Sequence, residues 1–283
     1  MQRLLMATDL SVRSDRALQR AFVLAHDLGL RLSIVHVVDD SLPENVVERQ
    51  ELAAKEAINA HLAALETAST TPHDVQILRG QDFAELVSVG NRTEADLLVL
   101  GDHRHTLIDM FRGTTVERVV RYGDLPVLVV KSIVIAPYSK VLVAVDTSAH
   151  SKAALRLAAR LAPHSEMQLL HACQESFPAF LDSADRKVLV REQQEQVQDR
   201  LRADVQALSA ELGSKSPKFE FVFDVGDPLS VIRQYCLENK PELIALGTHG
   251  RSGLAHAVVG SIAENLLADS EVDVLAVKAP KEC

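Results

Sequence analysis

The sequence predicts an α/β protein built from two tandem repeats, each a doubly wound, parallel five-stranded sheet flanked by helices. Three observations predict it. The chain repeats itself, because the opening "RLLMATDLSVRSDRALQRAFVLA" aligns with "KVLVAVDTSAHSKAALRLAARLA" and places Asp9 on Asp146. Within each repeat, short β-branched apolar runs alternate with amphipathic segments whose apolar residues fall at helical spacing. The strand-like runs are apolar almost throughout, which implies parallel strands buried on both faces and joined by right-handed helical crossovers.

The elements follow in order along both repeats. The first strand of the second repeat ends at Asp146 and leads into a helical pattern marked by Leu155, Ala158, Leu161 and Ala162. The second strand, "LSIVHVV" against "MQLLHAC", places His36 on His171 and ends at Ala172. The third is followed by a glycine in each repeat, Gly80 on Gly226, and the fourth, "ADLLVLG" against "PELIALG", by Gly101 on Gly247. The fifth is "LPVLVVK" against "VDVLAVK". The second repeat carries eleven extra residues, placed in the polar, helix-prone stretch from Asp182 to Gly213. Its apolar residues Val190, Val197, Leu201, Val205, Leu208 and Leu212 fall mostly at helical spacing and predict a solvated amphipathic helix. In open parallel sheets ligands bind beyond the carboxyl ends of the strands. Asp146, Ala172, Gly226 and Gly247 therefore share one rim.

At 283 residues the chain has the length of about two domains. Pro137, in "SIVIAPYS", separates the last strand of one repeat from the first of the next, giving domains 1–133 and 138–283. No apolar run reaches the roughly 20 residues that span a bilayer. The start "MQRLLMATDL" runs straight into strand-like sequence without the pattern of a signal peptide, so the expected location is the cytoplasm, with no membrane partner. Three cysteines, Cys173, Cys236 and Cys283, lack the spacing of a disulfide framework or zinc knuckle. The first two read as core residues. A net charge of -9 without a segregated basic face argues against nucleic acid.

The stretch "GTHGRSGLAHAVVGSIAE", from Gly247 to Glu264, carries the chemistry. Glycines three apart at a strand end allow positive φ and close backbone approach, so that successive amides converge on an anion. Ser261 and Glu264 have the spacing of a capping box, which places a helix N-terminus at Ser261, where unsatisfied N–H groups and the helix dipole favour phosphate. Two readings stand. In one, Gly247 and Gly250 grip one phosphate while Gly260, Ser261 and the next amides grip another. In the other, Gly247 turns the chain and Ser261 caps a helix. Asp146 is likewise either a ligand-facing acid or the residue of an Asx-turn in "VDTSAHS". His249 either meets a phosphate or fills the loop, and Arg251 either neutralises phosphate or extends into solvent.

Neither of the common nucleotide fingerprints, the P-loop or G-x-G-x-x-G after the first strand, is present. Instead "GTHGRSGLAHAVVGSIAENLL", with "VLVAVDTS" at the first strand and "VDVLAVK" at the last, resembles the universal stress protein family, whose ATP-binding members carry G-x-x-G-x9-G-[ST]. The resemblance covers both repeats. It implies a tandem, Rossmann-like protein that binds ATP or a similar adenine nucleotide, with or without Mg2+, through its second repeat. It also implies that Asp146 lies near the adenosine, the Ala172 backbone at adenine and Gly226 near the ribose. Gly247, His249, Gly250, Arg251, Gly260, Ser261 and Ile262 would surround the phosphates. Family domains often pair through their last strands, which implies an intramolecular pseudo-dimer and leaves a homodimer open, with protein partners unidentified.

The first repeat departs from the pattern. Arg104 stands where the second glycine belongs, and only eight residues separate it from Gly113, so the loop is one residue short. A Cβ there crowds an approaching phosphate. Asp102 adds a repelling carboxylate, while Gly113, Thr114 and Glu117 still mark a helix start. The first repeat is therefore expected to bind little ATP, with Arg104 and Arg112 available to a smaller anion. Asp102, His103, His105 and Asp109 match no metal spacing and read as an exposed polar loop. No catalytic set stands out. Beside the leading reading, a nucleotide-binding stress-response regulator, two alternatives remain: a slow ATPase or phosphotransferase, and a nucleotide-free interaction scaffold.

Overall fold

A computed structural model of the chain describes residues 1–102, 115–134, 136–173, 183–250 and 259–279. The order in the first repeat is β1 (Arg3–Ala7), α1 (Val12–Leu28), β2 (Arg31–Val38), α2 (Glu44–Ala63), β3 (His73–Arg79), α3 (Asp82–Thr93), β4 (Leu97–Gly101), α4 (Thr115–Tyr122) and β5 (Val127–Val130). The second repeat gives β6 (Lys140–Ala144), α5 (Ala149–Leu161), β7 (Glu166–Cys173), α6 (Ser183–Leu212), β8 (Lys218–Val225), α7 (Pro228–Asn239), β9 (Leu243–Gly247), α8 (Ser261–Asp269) and β10 (Asp273–Val277). No helix among the described residues is long and apolar enough to cross a membrane.

In the first repeat the strand order is β3-β2-β1-β4-β5, all parallel, with Leu4 opposite both Leu32 and Leu97. The chain moves outward from β1 to β3, then returns to the other side of β1. The order reverses between β1 and β4, and a crevice opens there beyond the strand ends. The second repeat follows the same plan, with the parallel order β9-β6-β7-β8 and the reversal between β6 and β9. The inner strands are apolar because both faces are covered: Leu4, Leu5 and Met6 of β1 and Val141, Leu142 and Val143 of β6 are fully buried, whereas the edge strands β3 (HDVQILR) and β8 (KFEFVFDV) mix polar and apolar residues and are only partly buried.

Contacts group the chain into two compact units. One takes in Met1–Pro137 and the late segment Leu267–Ala276, and the other starts at Tyr138 and includes Gly260–Leu266. The first unit thus gains β10, which lies antiparallel to β5 with Val274 opposite Val129. Asp273, at the start of β10, is fully buried within it. Its Oδ1 accepts hydrogen bonds from the backbone N–H groups of Lys131 and Ser132, both at 2.9 Å, and from Ser132 Oγ at 2.8 Å. Arg20 Nε stands 3.5 Å from its Oδ2.

Local chemistry sets the helix ends. Ser11 and Ser148 cap α1 and α5 by accepting from the N–H groups of Ser14 and Ser151. Asp227 caps α7, with Pro228 in its first turn, and the bond from the Ser230 backbone holds the Asp227 carboxyl below its usual range. α6 covers the predicted amphipathic stretch, burying Leu201 and Leu208 on one face. Cys173 is buried, and burial pushes the Cys236 thiol up to about 11, so Cys236 is not a reactive thiolate at neutral pH. Cys283 lies outside the described residues.

Candidate functional site

The loop that leaves the first strand has the same build in both repeats. Asp9 Oδ1 accepts from Ser11 N at 3.0 Å and Asp146 Oδ1 from Ser148 N at 3.0 Å, closing Asx-turns. The residue inside each turn is left-handed, Leu10 at φ 63° and Thr147 at φ 66°. A non-glycine residue held there is strained, and such strain collects where the surrounding structure fixes a site. One oxygen of Asp146 therefore does the structural work foreseen for an Asx residue. The other is turned to the glycine loop: a Cβ on Gly250 would lie 3.0 Å from Asp146 Oδ2.

Gly247, Gly250 and Gly260 do not adopt positive φ, in contrast to the conformational freedom expected of them; among the described glycines the positive angles belong to Gly29, Gly80, Gly213 and Gly226. Gly247 is needed for space. A Cβ there would meet His150 Cβ at 2.6 Å and Ser151 N at 2.9 Å, so its bare backbone lets the N-terminus of α5 close on the end of β9. Gly260 donates its N–H to Thr248 O at 2.8 Å, and Thr248 N donates to Val277 O at 2.9 Å. This brings the start of α8 back against the loop after β9. Glu264 N donates to Gly260 O at 3.0 Å, which makes Gly260 the capping residue and moves Ser261 into the first turn, one position later than the capping-box spacing implies.

Ala172 and Gly226 fall on the same rim. Ala172 pairs with Asp224 across β7 and β8, and Gly226 N donates to Cys173 O at 3.0 Å. Ile262 is the second residue of α8. The structure thus brings Gly250 against Asp146 and Gly260 against Thr248 and His249, beside Gly247 at the end of β9 and Ser261 at the start of α8, with Ala172 and Gly226 at the ends of β7 and β8. Arg251 lies outside the described residues.

His150 carries no motif signal, yet it belongs to this cluster. Its ring packs on that of His249 with centroids 5.0 Å apart and planes tilted by 44°. Its Nδ1 accepts the backbone N–H of Ala279 at 2.8 Å, so the neutral ring carries its hydrogen on Nε2. His249 Nδ1 lies 3.0 Å from Thr248 Oγ1, and its buried Nε2 has no hydrogen-bond partner among the described residues. Burial, then the neighbouring His249, holds His150 below the ordinary histidine range. As pH falls through about 6.5 the unfolded chain takes up a proton at this position that the folded chain resists, so stability drops on the acid side. In His150→Gln the decline in urea midpoint between about pH 7.5 and 5 is expected to be shallower than in the parent.

The first unit keeps a cleft of about 130 Å³ at the matching place, lined in part by Thr8, Asp9, Val37, Gly101, Asp102 and Thr115. Asp102 stands 3.4 Å from Lys131 Nζ, so the carboxylate expected to repel phosphate has a cationic neighbour. Arg104, Arg112, Gly113 and Thr114, together with His103, His105 and Asp109, lie outside the described residues.

A doubly wound sheet in each repeat, with a crevice at the strand-order reversal and a helix N-terminus facing it, defines a class of ligand-binding α/β proteins. The chain belongs to the universal stress protein family, whose sequence profile matches residues 1–131 and 137–278. It is 37% identical over 57 residues to a universal stress protein of Methanocaldococcus jannaschii, a match spanning 20% of this chain and 34% of that protein. It is 27% identical over 138 residues to universal stress protein A homolog 1 of Coxiella burnetii, spanning 45% of this chain and 94% of that one. The crystal structure of a universal stress protein from Archaeoglobus fulgidus superposes with a TM-score of 0.71 at 17% identity, covering 98% of both chains, a likeness of fold.

Proposed function

We propose that the second repeat binds an adenine nucleotide, ATP, and that the protein is a cytoplasmic stress-response regulator whose nucleotide state alters how it meets protein partners. The observation that carries this reading is the convergence of the Asp146 carboxylate, the bare backbone at Gly250 and the N-terminus of α8 on one crevice. The base would lie toward Ala172 and the ribose toward Gly226. The phosphates would meet the backbone from Gly247 to Arg251 and the first amides of α8, where a helix N-terminus favours anions. A Cβ at Gly250 would fill the gap between loop and acid. Among the described residues no cluster of three acid, histidine or cysteine side chains is placed to hold a metal, so Mg2+ would enter on the phosphate oxygens. The antiparallel pairing of β5 with β10 supports the pseudo-dimer reading, since these are corresponding strands of the two repeats.

Calorimetry is expected to give one ATP per chain, because the first repeat has Arg104 in place of the second glycine. In Gly250→Val the affinity should fall at least tenfold, about 1.4 kcal/mol, with the fold retained. Unchanged affinity in the folded variant would place the phosphates elsewhere.

A further inference from the structure

We propose that His150 and His249 act as one proton-binding unit of the nucleotide site, taking up a single proton when phosphate binds. This rests on the nucleotide reading above and extends it to a residue that no motif identifies. Each ring is fixed by its surroundings. His150 is the second residue of α5, near the positive end of that helix, where an imidazolium is disfavoured. The Ala279 N–H occupies the lone pair of its Nδ1, and so holds the ring neutral. His249 comes from the loop after β9, with its Nε2 buried and, among the described residues, unpartnered. Among the described residues the charged groups acting on His150 are Asp146, on the loop between β6 and α5, and Lys278, just beyond β10, which act in opposite directions. Without a ligand, burial and the neighbouring ring keep the proton off His150.

A phosphate at the glycine loop reverses this balance. An anion stabilises imidazolium, and in its cationic form His249 donates from both ring nitrogens, from Nδ1 to Thr248 Oγ1 and from Nε2 to the phosphate. Two imidazoliums with ring centroids 5.0 Å apart repel, so the pair takes one proton, held on His249 first and on His150 only where the Ala279 bond to its Nδ1 gives way. The sign follows. Binding that takes up a proton strengthens as pH falls, here over about pH 7.5 to 5.5, by at most tenfold per pH unit. Adenosine, without phosphate, has no such dependence. The acid that weakens the fold at His150 therefore favours the complex.

The test is calorimetry of ATP and of adenosine near pH 7 in buffers of different ionisation enthalpy, which counts protons taken up per ligand bound. The expected result is uptake of up to one proton with ATP and none with adenosine. His249→Gln should show a smaller uptake carried by His150. The double variant His150→Gln, His249→Gln should show none, read at saturating ATP in protein whose folding is verified by circular dichroism. ATP binding without proton uptake would overturn the inference and leave the nucleotide reading standing. Uptake retained in the double variant would place the proton elsewhere, and uptake already lost in His249→Gln would remove His150 from the unit. No binding of ATP at any pH would overturn both.

Discussion

Replacing Asp273 with alanine is expected to cost about 3–5 kcal/mol of stability, the range for breaking a buried ion pair from one side. The carboxylate is fully buried, and its Oδ1 receives two backbone N–H groups and a hydroxyl, all at 2.9 Å or less. Alanine removes the acceptor from those three donors, and each buried donor without an acceptor costs about 1–3 kcal/mol. It also removes the carboxylate that stands 3.5 Å from Nε of Arg20, a residue 3% exposed that donates from Nη1 to Ala136 O. Asp273→Asn keeps an acceptor and should cost less. Urea unfolding of the three proteins decides the matter: a loss below about 1 kcal/mol in Asp273→Ala would mean that water reaches the site.

This network shows where sequence reading stops. The apolar runs locate the inner strands because a strand buried on both faces must be apolar along its length, and the repeat locates the edge strands β3 and β8, which mix polar and apolar residues. Asp273, inside one such run in "VDVLAVK", reads as an interruption. Its partners Lys131 and Ser132 are 142 and 141 positions away, a separation at which no local period speaks. The same holds for His150. "VDTSAHS" displays its capping serine and its Asx-turn acid, because caps and turns are local, whereas the partners of His150 come from the loop after β9 and from beyond β10. Ser261 was displaced by one position for a different reason. The S-x-x-E spacing fits a capping box, but Gly260, with no side chain to offer, takes the cap through its carbonyl while its N–H is tied to Thr248.

The glycines of the loop were legible as a pattern, although their separate duties were not, and Gly247→Ala exposes the difference. This substitution is expected to cost about 2–3 kcal/mol, the upper half of the range for overpacking. The added Cβ would meet His150 Cβ at 2.6 Å, His150 C at 2.8 Å and Ser151 N at 2.9 Å, and two of those three atoms are backbone at the start of α5, unable to swing aside. Gly250→Ala meets only the end of a side chain, Asp146 Oδ2 at 3.0 Å, at an exposed position, and should stay within about 0.5 kcal/mol of the parent. The first repeat agrees with this division of labour. Gly101 is under the same pressure as Gly247, since a Cβ there would lie 2.9 Å from Ser14 N and 3.0 Å from Arg13 C, and it is retained. The counterpart of Gly250 has become Arg104. A glycine that seats a helix on a strand is required by the fold in both repeats, while on the proposed reading Gly250 only makes room for a ligand, so its counterpart is free to change in a repeat that binds none. Equal losses of stability in Gly247→Ala and Gly250→Ala, measured by urea unfolding, would refute that distinction.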